Sequence, residues 1–427
     1  MRSTLFTVRL RLATAGGVSA PEDLRTETLT SPDGEVRVRN TRPLRRDPTG
    51  APHLPGTTIA GSLRAHCTTI PALRDAFGPA PGAETRTASP IQVLGSITRT
   101  TTPPQHRGRT AIDRHRAAAR THTLHWNETL VAGTEFDIFL RWDDATEEQL
   151  TALDAALGHW NPRLGAGASL GAGRAQVIAL GHRSYDLRSE AGLTDWLAIT
   201  GPADYPAPHP LTPEPPPAPL LQRTLRIVEA LHIGTGTTRP ADGGGDGEIA
   251  DIVTRNGTPI VPGSTLKGVL RSRVEYICRV LGAPACEHAD CGHCRPCLLF
   301  GHGAPDENGT PGRARIAIGD AEIRHARREQ RRHVAIDRFT GGARNQLLYT
   351  HDVITTGEFD LVIDHLGEHE PDPTDLALLT AALDDLHDGL IGLGARTTAG
   401  YGTVELTHPG PSPARTDLSA LLPPGTP

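Results

Sequence analysis

The chain opens on a strict alternation. Val8, Leu10 and Leu12 are apolar where Thr7, Arg9 and Arg11 are polar, the period-two pattern of a strand with one buried face. A different period governs Asp251 to Gly282, DIVTRNGTPIVPGSTLKGVLRSRVEYICRVLG. There a short apolar segment meets a Pro-Gly turn, and Leu266, Val269, Leu270, Val274 and Ile277 then recur at helical spacing up to Gly282. Ser264 or Thr265 is expected to cap this helix with its hydroxyl. A further strand is predicted at Phe136–Trp142, and acidic helices at Asp143–Asp154 and Asp372–Asp388. The segment Thr98–Thr123 has no apolar period and reads as a protruding, flexible β-hairpin.

The pattern occurs twice. Arg45–Arg64, RRDPTGAPHLPGTTIAGSLR, matches Thr254–Arg271, TRNGTPIVPGSTLKGVLR. AIDR at Ala111–Arg114 returns at Ala335–Arg338, and NETLVAGTEFDIFLRWD from Asn127 returns as HDVITTGEFDLVIDHL from His351. The glycine-rich LGAGASLGAGRAQV from Leu164 returns as LGARTTAGYGTVEL from Leu393. Landmarks in one order mean a tandem duplication of one domain. At 427 residues the chain has room for two to three domains with their own cores. The expected division is a first domain at 1–200, a proline-rich, extended linker at 201–219, a second domain at 220–409 and a disordered tail at 410–427.

Composition adds the chemistry. Hydrophobic residues at 37% and charged residues at 22% are those of a soluble globular protein, and no apolar run is long enough to span a membrane. The N-terminus goes directly into a strand rather than a signal peptide, so a cytoplasmic protein is expected. A net charge of −6 speaks against a uniformly basic nucleic-acid binder, but the arginines are segregated into Val36–Arg46, Arg99–Arg120 and Arg324–His333. Such blocks are either solvated arms or parts of a groove that tracks a phosphate backbone, and their pairing before AIDR in both copies favours the groove. Lys267 is the only lysine in the chain. It stands with Arg271 on the first turns of the Pro-Gly helix, where free backbone N–H groups and the positive dipole end favour a phosphate. The turn residues Gly263, Ser264 and Thr265 belong to this candidate site, as do Gly56, Thr57 and Arg64 in the first copy. The glycine pairs Gly171/Gly173 and Gly400/Gly402 would let backbone approach either phosphate or another backbone.

Cys286, Cys291, Cys294 and Cys297 have the spacing CxxxxCxxCxxC, with His288 between the first two. Four thiolates, or three and a histidine, suit a structural tetrahedral Zn²⁺ ion, whereas the spacing misses the usual ferredoxin runs. The pattern is not that of a zinc deaminase, which needs an HxE before its PCxxC. PGSTLKG lacks the order of a Walker loop, and no serine or cysteine nucleophile is apparent. Cys67 and Cys278, on equivalent helices, read as buried packing residues.

The ordered set GxPh[LV]PG[ST][ST]hxGxLR, AIDR and LGxxxxxGxG, together with HIG at His232–Gly234 and DRFTGGA at Asp337–Ala343, resembles the RAMP superfamily of CRISPR-associated proteins, above all the backbone subunit of type III effector complexes. The resemblance covers nearly the whole chain outside the linker and tail. It implies an α+β fold of two tandem ferredoxin-like (RRM-related) domains with hairpin insertions. It also implies partners: a CRISPR guide RNA, a paired single-stranded target RNA and other effector subunits. Arg114 and Arg338 of the AIDR segments join the implied RNA contacts. The family's aspartate, in the loop before the Pro-Gly helix, maps onto Asp251, with Asp246 as second choice. It would assist attack by the RNA's own 2′-OH, either as proton acceptor or as ligand of a Mg²⁺ or Mn²⁺ ion. In the first copy Asn40 and Thr41 stand at the matching places, so that half is expected to bind without cutting. A pure guide-binding scaffold and a guide-processing endoribonuclease of the same superfamily are the alternatives.

Overall fold

The computed structural model describes the chain except residues 31–35, 80–86, 100–101, 114–117, 122, 214, 241–247, 288–289, 305–311, 367–371, 409–417, 419–420 and 422–427. It forms two compact units. The first comprises residues 1–111, 121–168 and 172–217, and the second residues 112–120, 169–171 and 218–427.

In the first unit, β1 (Arg2–Leu12) is the central strand of a five-stranded sheet. The chain then passes through β2 (Arg25–Thr30), β3 (Val36–Arg42), α1 (Gly56–Cys67), β4 (Ile91–Thr98), β5 (Gln105–Arg109) and β6 (His125–Thr129). It continues through β7 (Glu135–Asp143), α2 (Glu147–Gly158), β8 (Ala175–Asp186), α3 (Glu190–Leu197) and the short β9 (His209–Pro210). The sheet runs β9-β8-β1-β7-β4, antiparallel throughout. Without β9 this is the order fourth, first, third, second of a βαββαβ unit, the ferredoxin-like arrangement. The alternation at the N-terminus decides which face is buried. Val8, Leu10 and Leu12 lie in the core with Ile59 and Leu63 of α1 and Leu150, Leu153 and Leu157 of α2. On the other face Arg9 pairs with Asp137 at 2.8 Å and Arg11 with Glu135 at 2.7 Å. Thr146 opens α2 with a reciprocal capping box: its hydroxyl accepts from Gln149 N–H, and Gln149 accepts from Thr146 N–H.

The second unit repeats the plan. Its elements are β10 (Leu221–Ile227), β11 (Gly234–Pro240), β12 (Glu248–Ile252), β13 (Thr258–Val261), α4 (Gly263–Val280) and α5 (Arg295–Phe300). After them come β14 (Ile316–Ile318), β15 (Arg324–Ile336), β16 (Ala343–His365), α6 (Pro373–His387) and β17 (Val404–Leu406). The strand path β11-β12-β16-β10-β17, with β14 also on β16, contains the same order β17-β10-β16-β14. Leu266, Leu270 and Val274 of α4 and Leu378, Leu379 and Leu383 of α6 cover it. Cys67 and Cys278 are fully buried in the two cores, and burial pushes each thiol up to about 11.

Three expectations change. The base of the Arg-rich segment of the first copy is tied into a sheet, β2-β3-β6-β5, where β5 pairs antiparallel with β6; beyond it 112–113 pairs antiparallel with 118–119, and 114–117 lie outside the described residues. The proline-rich segment is not a free spacer over its first half. Its β9 pairs with β8, and Tyr205 packs edge-on against Phe139 at 4.9 Å. The tail lies mostly outside the described residues, and of its residues Leu418 and Leu421 pack on the second core.

The glycine loops are backbone-to-backbone contacts. A Cβ on Gly173 would sit 2.0 Å from Leu164 O, and one on Gly402 would sit 2.1 Å from Leu393 O. Both glycines have positive φ, 68° and 83°. Their carbonyls accept from Leu164 N–H at 2.8 Å and Leu393 N–H at 2.9 Å. Gly402→Ala must both shift this bond and adopt a left-handed backbone. It should destabilise the protein by about 2 kcal/mol or more, read as a lower Tm, whereas Ala399→Gly in the same loop should leave Tm nearly unchanged.

Candidate functional site

The Pro-Gly helix begins one residue before the expected cap. Pro262 is the N-cap of α4, and neither Ser264 nor Thr265 caps it. The first N–H, that of Gly263, instead donates to Asp320 Oδ1 at 2.9 Å, and Asp320 is also ion-paired with Arg255. Local sequence cannot show a cap supplied from 57 residues downstream. Its consequence is chemical, because a carboxylate already answers the positive helix end where a phosphate was expected. Gly263 is required there for space, since a Cβ would meet Ile318 O at 2.2 Å. In the first copy Ser96, in the corresponding Gly-Ser pair, bonds the N–H and C=O of Leu54 at 2.9 and 3.0 Å.

The motif arginines turn inward. Arg271 donates to Glu275 at 2.9 Å, to Asp290 at 2.7 Å and to Gly301 O at 2.7 Å, with Cys297 Sγ 3.7 Å away. Arg64 likewise bonds the carbonyls of Phe77 and Pro79. Both arginines tie their helix to the loop that follows it and leave the helix front to others. Lys267 is half-buried on the first turns, and burial, then the neighbouring Arg271, lower its ammonium to about 8. Ser264 and Thr57 are exposed on the first turns of α4 and α1, while Thr265 and Gly56 are half-buried. Gly400 and Gly171 have φ of 85° and 69° and serve the tight loops described above. Arg338 is exposed at the β15–β16 turn. It does not pair with Asp337, whose carboxylate instead accepts from the N–H groups of Phe339 and Thr340 at 2.9 Å. Arg114, Asp246 and His288 lie outside the described residues.

Asp251 is on strand β12 rather than in an exposed loop. Its Oδ1 accepts from its neighbour Ile252 N–H at 2.9 Å and from Arg328 at 2.6 Å, while Oδ2 has no partner among the described residues. Arg328 reaches on to Asp352, which is 1% exposed and is held from the other side by Arg239 at 3.1 Å. A divalent cation does not fit these residues, because the guanidinium of Arg328 lies on both carboxylates that would have to share the ion. The first copy has the same buried acid: Glu128 is held by Arg46 at 3.1 Å and by Leu44 N–H at 2.9 Å. Register corrects the matching position of Asp251. Ala250 stands opposite His351 and Arg42 opposite Asn127, so the counterpart of Asp251 is Pro43 rather than Asn40 or Thr41.

A ring cluster went unread in the sequence. His333 and Tyr349, cross-strand partners on β15 and β16, stack at 5.3 Å with planes 19° apart. His351 meets Tyr349, His333 and His232 edge-on at 5.3, 5.4 and 4.9 Å. Tyr401 of the glycine loop bonds His333 Nε2 at 2.9 Å, and Arg396 bonds His351 Nε2 at 3.1 Å. Reading the copies column by column finds it, because Arg109, His125, Asn127 and Ala172 of the first copy become His333, Tyr349, His351 and Tyr401.

The four cysteines converge. All four Sγ atoms lie within 4.8 Å of one another, with Cys286 at 3.4 Å from Cys297 and 3.6 Å from Cys294. A tetrahedral Zn–S₄ centre has S···S edges of about 3.8 Å, so the set fits the ion with little movement. The N–H groups of Cys291 and Cys294 already point at Cys286 and Cys291 sulfurs. Burial raises the Cys286 and Cys294 thiols, the latter to about 11. Burial also works on Cys291, but hydrogen bonds from the backbone at His293 and Cys294 and from the Cys294 and Cys286 thiols outweigh it and bring it to about 6. His288 is not needed to complete four ligands.

The ferredoxin-like order in both units, the paired Pro-Gly helices and the glycine loops define a duplicated RRM-related protein. The RAMP superfamily model matches residues 12–176 and 224–405, and the chain therefore belongs to the RAMP superfamily of CRISPR-associated proteins. Members of that superfamily bind CRISPR RNA within larger complexes. No curated protein matches the chain. Among the described residues no helix is long and apolar enough to cross a membrane.

Two outcomes follow. Metal analysis should give about one zinc per chain, and Cys294→Ser should lose it and lower the Tm of the second unit; structural zinc is worth ~10 kcal/mol or more in finger peptides and less in a larger domain. The second concerns pH. Burial, then Arg396, lowers His351 from 6.5 to about 4, so its neutral form is favoured by folding. Its contribution is complete above pH 6.5 and is lost as pH falls towards 4. Melts between pH 7 and pH 4 should show a shallower loss for His351→Asn than for the native chain.

Proposed function

We propose that the chain is a backbone subunit of a type III CRISPR effector complex that holds guide RNA along both units and cuts the paired target RNA through the second. The observation that carries this is Asp251, a half-exposed carboxylate beside Arg328 whose Oδ2 has no partner among the described residues, where the first copy has Pro43. Lys267, Arg338 and the exposed Arg332 supply charge to the RNA backbone. Arg64 and Arg271 hold the loops that shape the site.

In the cutting step the 2′-oxygen of a kinked target nucleotide attacks the adjacent phosphorus. Asp251 Oδ2 takes the 2′-OH proton, Arg328 offsets charge on the phosphoryl oxygens, and the P–O5′ bond breaks, with water protonating the departing oxygen. The products are a 2′,3′-cyclic phosphate and a 5′-OH. Arg328 also keeps Asp251 aimed, and its grip on buried Asp352 fixes it in turn.

Asp251→Asn should leave guide binding unchanged and slow target cleavage by about a hundredfold or more, and Arg328→Gln should slow it as well. Native cutting rates in both Asp251→Asn and Asp246→Asn proteins would falsify the assignment and leave a guide-binding scaffold.

A further inference from the structure

The ring cluster is used by none of the chemistry above. One nitrogen of each imidazole is already engaged. His232 Nδ1 lies 2.7 Å from Asp352 O, His333 Nε2 meets the Tyr401 hydroxyl, and His351 Nε2 accepts from Arg396. Three imidazoles committed in this way do not converge on a metal ion. What the cluster still offers is ring faces. His333 and Tyr349 are half-exposed, with His351 and Tyr401 buried behind them.

Two cations frame the rings. Arg396 lies over Tyr349 at 4.7 Å and Arg331 over Tyr401 at 5.4 Å, while Arg332 points outward from the same strand. Arg396 holds a left-handed backbone, φ 61°, that a non-glycine residue adopts at a cost. One polar atom has no partner. Because Nε2 of His351 accepts, the neutral ring carries its proton on Nδ1, and that buried N–H donates to nothing among the described residues.

Five tyrosines serve the whole chain, and two of them meet here. The first copy, with the same fold and register, has Arg109 opposite His125, and Asn127 and Ala172 where the second has His351 and Tyr401. The ring site is therefore confined to the second copy and is not a requirement of the fold.

We propose that the His333–Tyr349 stack is a docking site for unpaired bases of single-stranded RNA, with the exposed Arg332 placed for a flanking phosphate. It rests on the reading of the chain as an RNA-binding protein. Unpaired bases are held on aromatic faces and guanidinium planes, and each stack contributes in any sequence because every base has a π face.

The test uses the full chain and a fluorescein-labelled 20-nucleotide oligouridylate, in which the bases are unpaired. The double variant His333→Arg/Tyr349→His installs what the first copy carries, so the fold tolerates it, and it adds a positive charge. Loss of a base stack predicts affinity about tenfold weaker with a salt dependence that is no shallower; a purely electrostatic surface predicts equal or tighter binding, and that result overturns the proposal. Ultraviolet cross-linking of the native chain to the same RNA decides the matter without a variant. Cross-links should map to peptides containing His333, Tyr349 or Tyr401, and cross-links confined to other segments would overturn it. A native chain that does not bind the oligouridylate sinks this inference and the RNA-binding reading together. Native binding that the double variant leaves unchanged sinks this inference alone.

Discussion

A buried carboxylate in the middle of the second unit organises what surrounds it. Asp352 is almost fully enclosed, so it needs paired cations, and Arg239 from β11 and Arg328 from β15 supply them. These two arginines bind the edge strands to β16, and Arg328 carries the order outward to Asp251. The backbone carbonyl of Asp352 holds His232, which brings the ring cluster against the network. Replacing Asp352 alone would remove the buried anion that the two guanidinium groups share. The first unit keeps the device in a reduced form, Glu128 with Arg46 and the Leu44 amide, and its described residues place no counterpart of Asp251 or of the ring cluster beside it. The two units share one frame, and the candidate chemistry falls in the second.

Much of the frame was legible because it is repetitive and local. Alternation in β1, the 3.6-residue period of α4 and the ordered landmarks of the two copies are short-range signals, and they led to two ferredoxin-like units and to the cysteine cluster. What escaped was non-local. The α4 cap comes from Asp320, which no pattern around Ser264 could announce. Arg271 looks like a phosphate ligand in a one-dimensional motif. In three dimensions its fork is consumed by Glu275, Asp290 and Gly301, because a guanidinium near a thiolate cluster finds closer anions than RNA.

The assignment of Asp251 shows both sides of this. Homology of motif singled out Asp251, but placed it in an open loop and matched it to Asn40 and Thr41. Strand pairing puts it on β12, ties it to Arg328, and moves its counterpart to Pro43. A proline there has neither a carboxylate nor an N–H, so the first copy could not recover the function by a change of rotamer. The four-cysteine cluster stands apart from this chemistry: its sulfurs close on one another, as the ligands of structural zinc sites do.

The claim at the centre of this account is that one chain carries two binding frames and one cutting centre. The direct measurement is to map cut positions on an end-labelled target RNA paired to the guide in the assembled complex. The account predicts one cut per chain, each leaving a 2′,3′-cyclic phosphate, so that neighbouring cuts are separated by the footprint of both units. Two cuts per chain, at the spacing of a single unit, would contradict it.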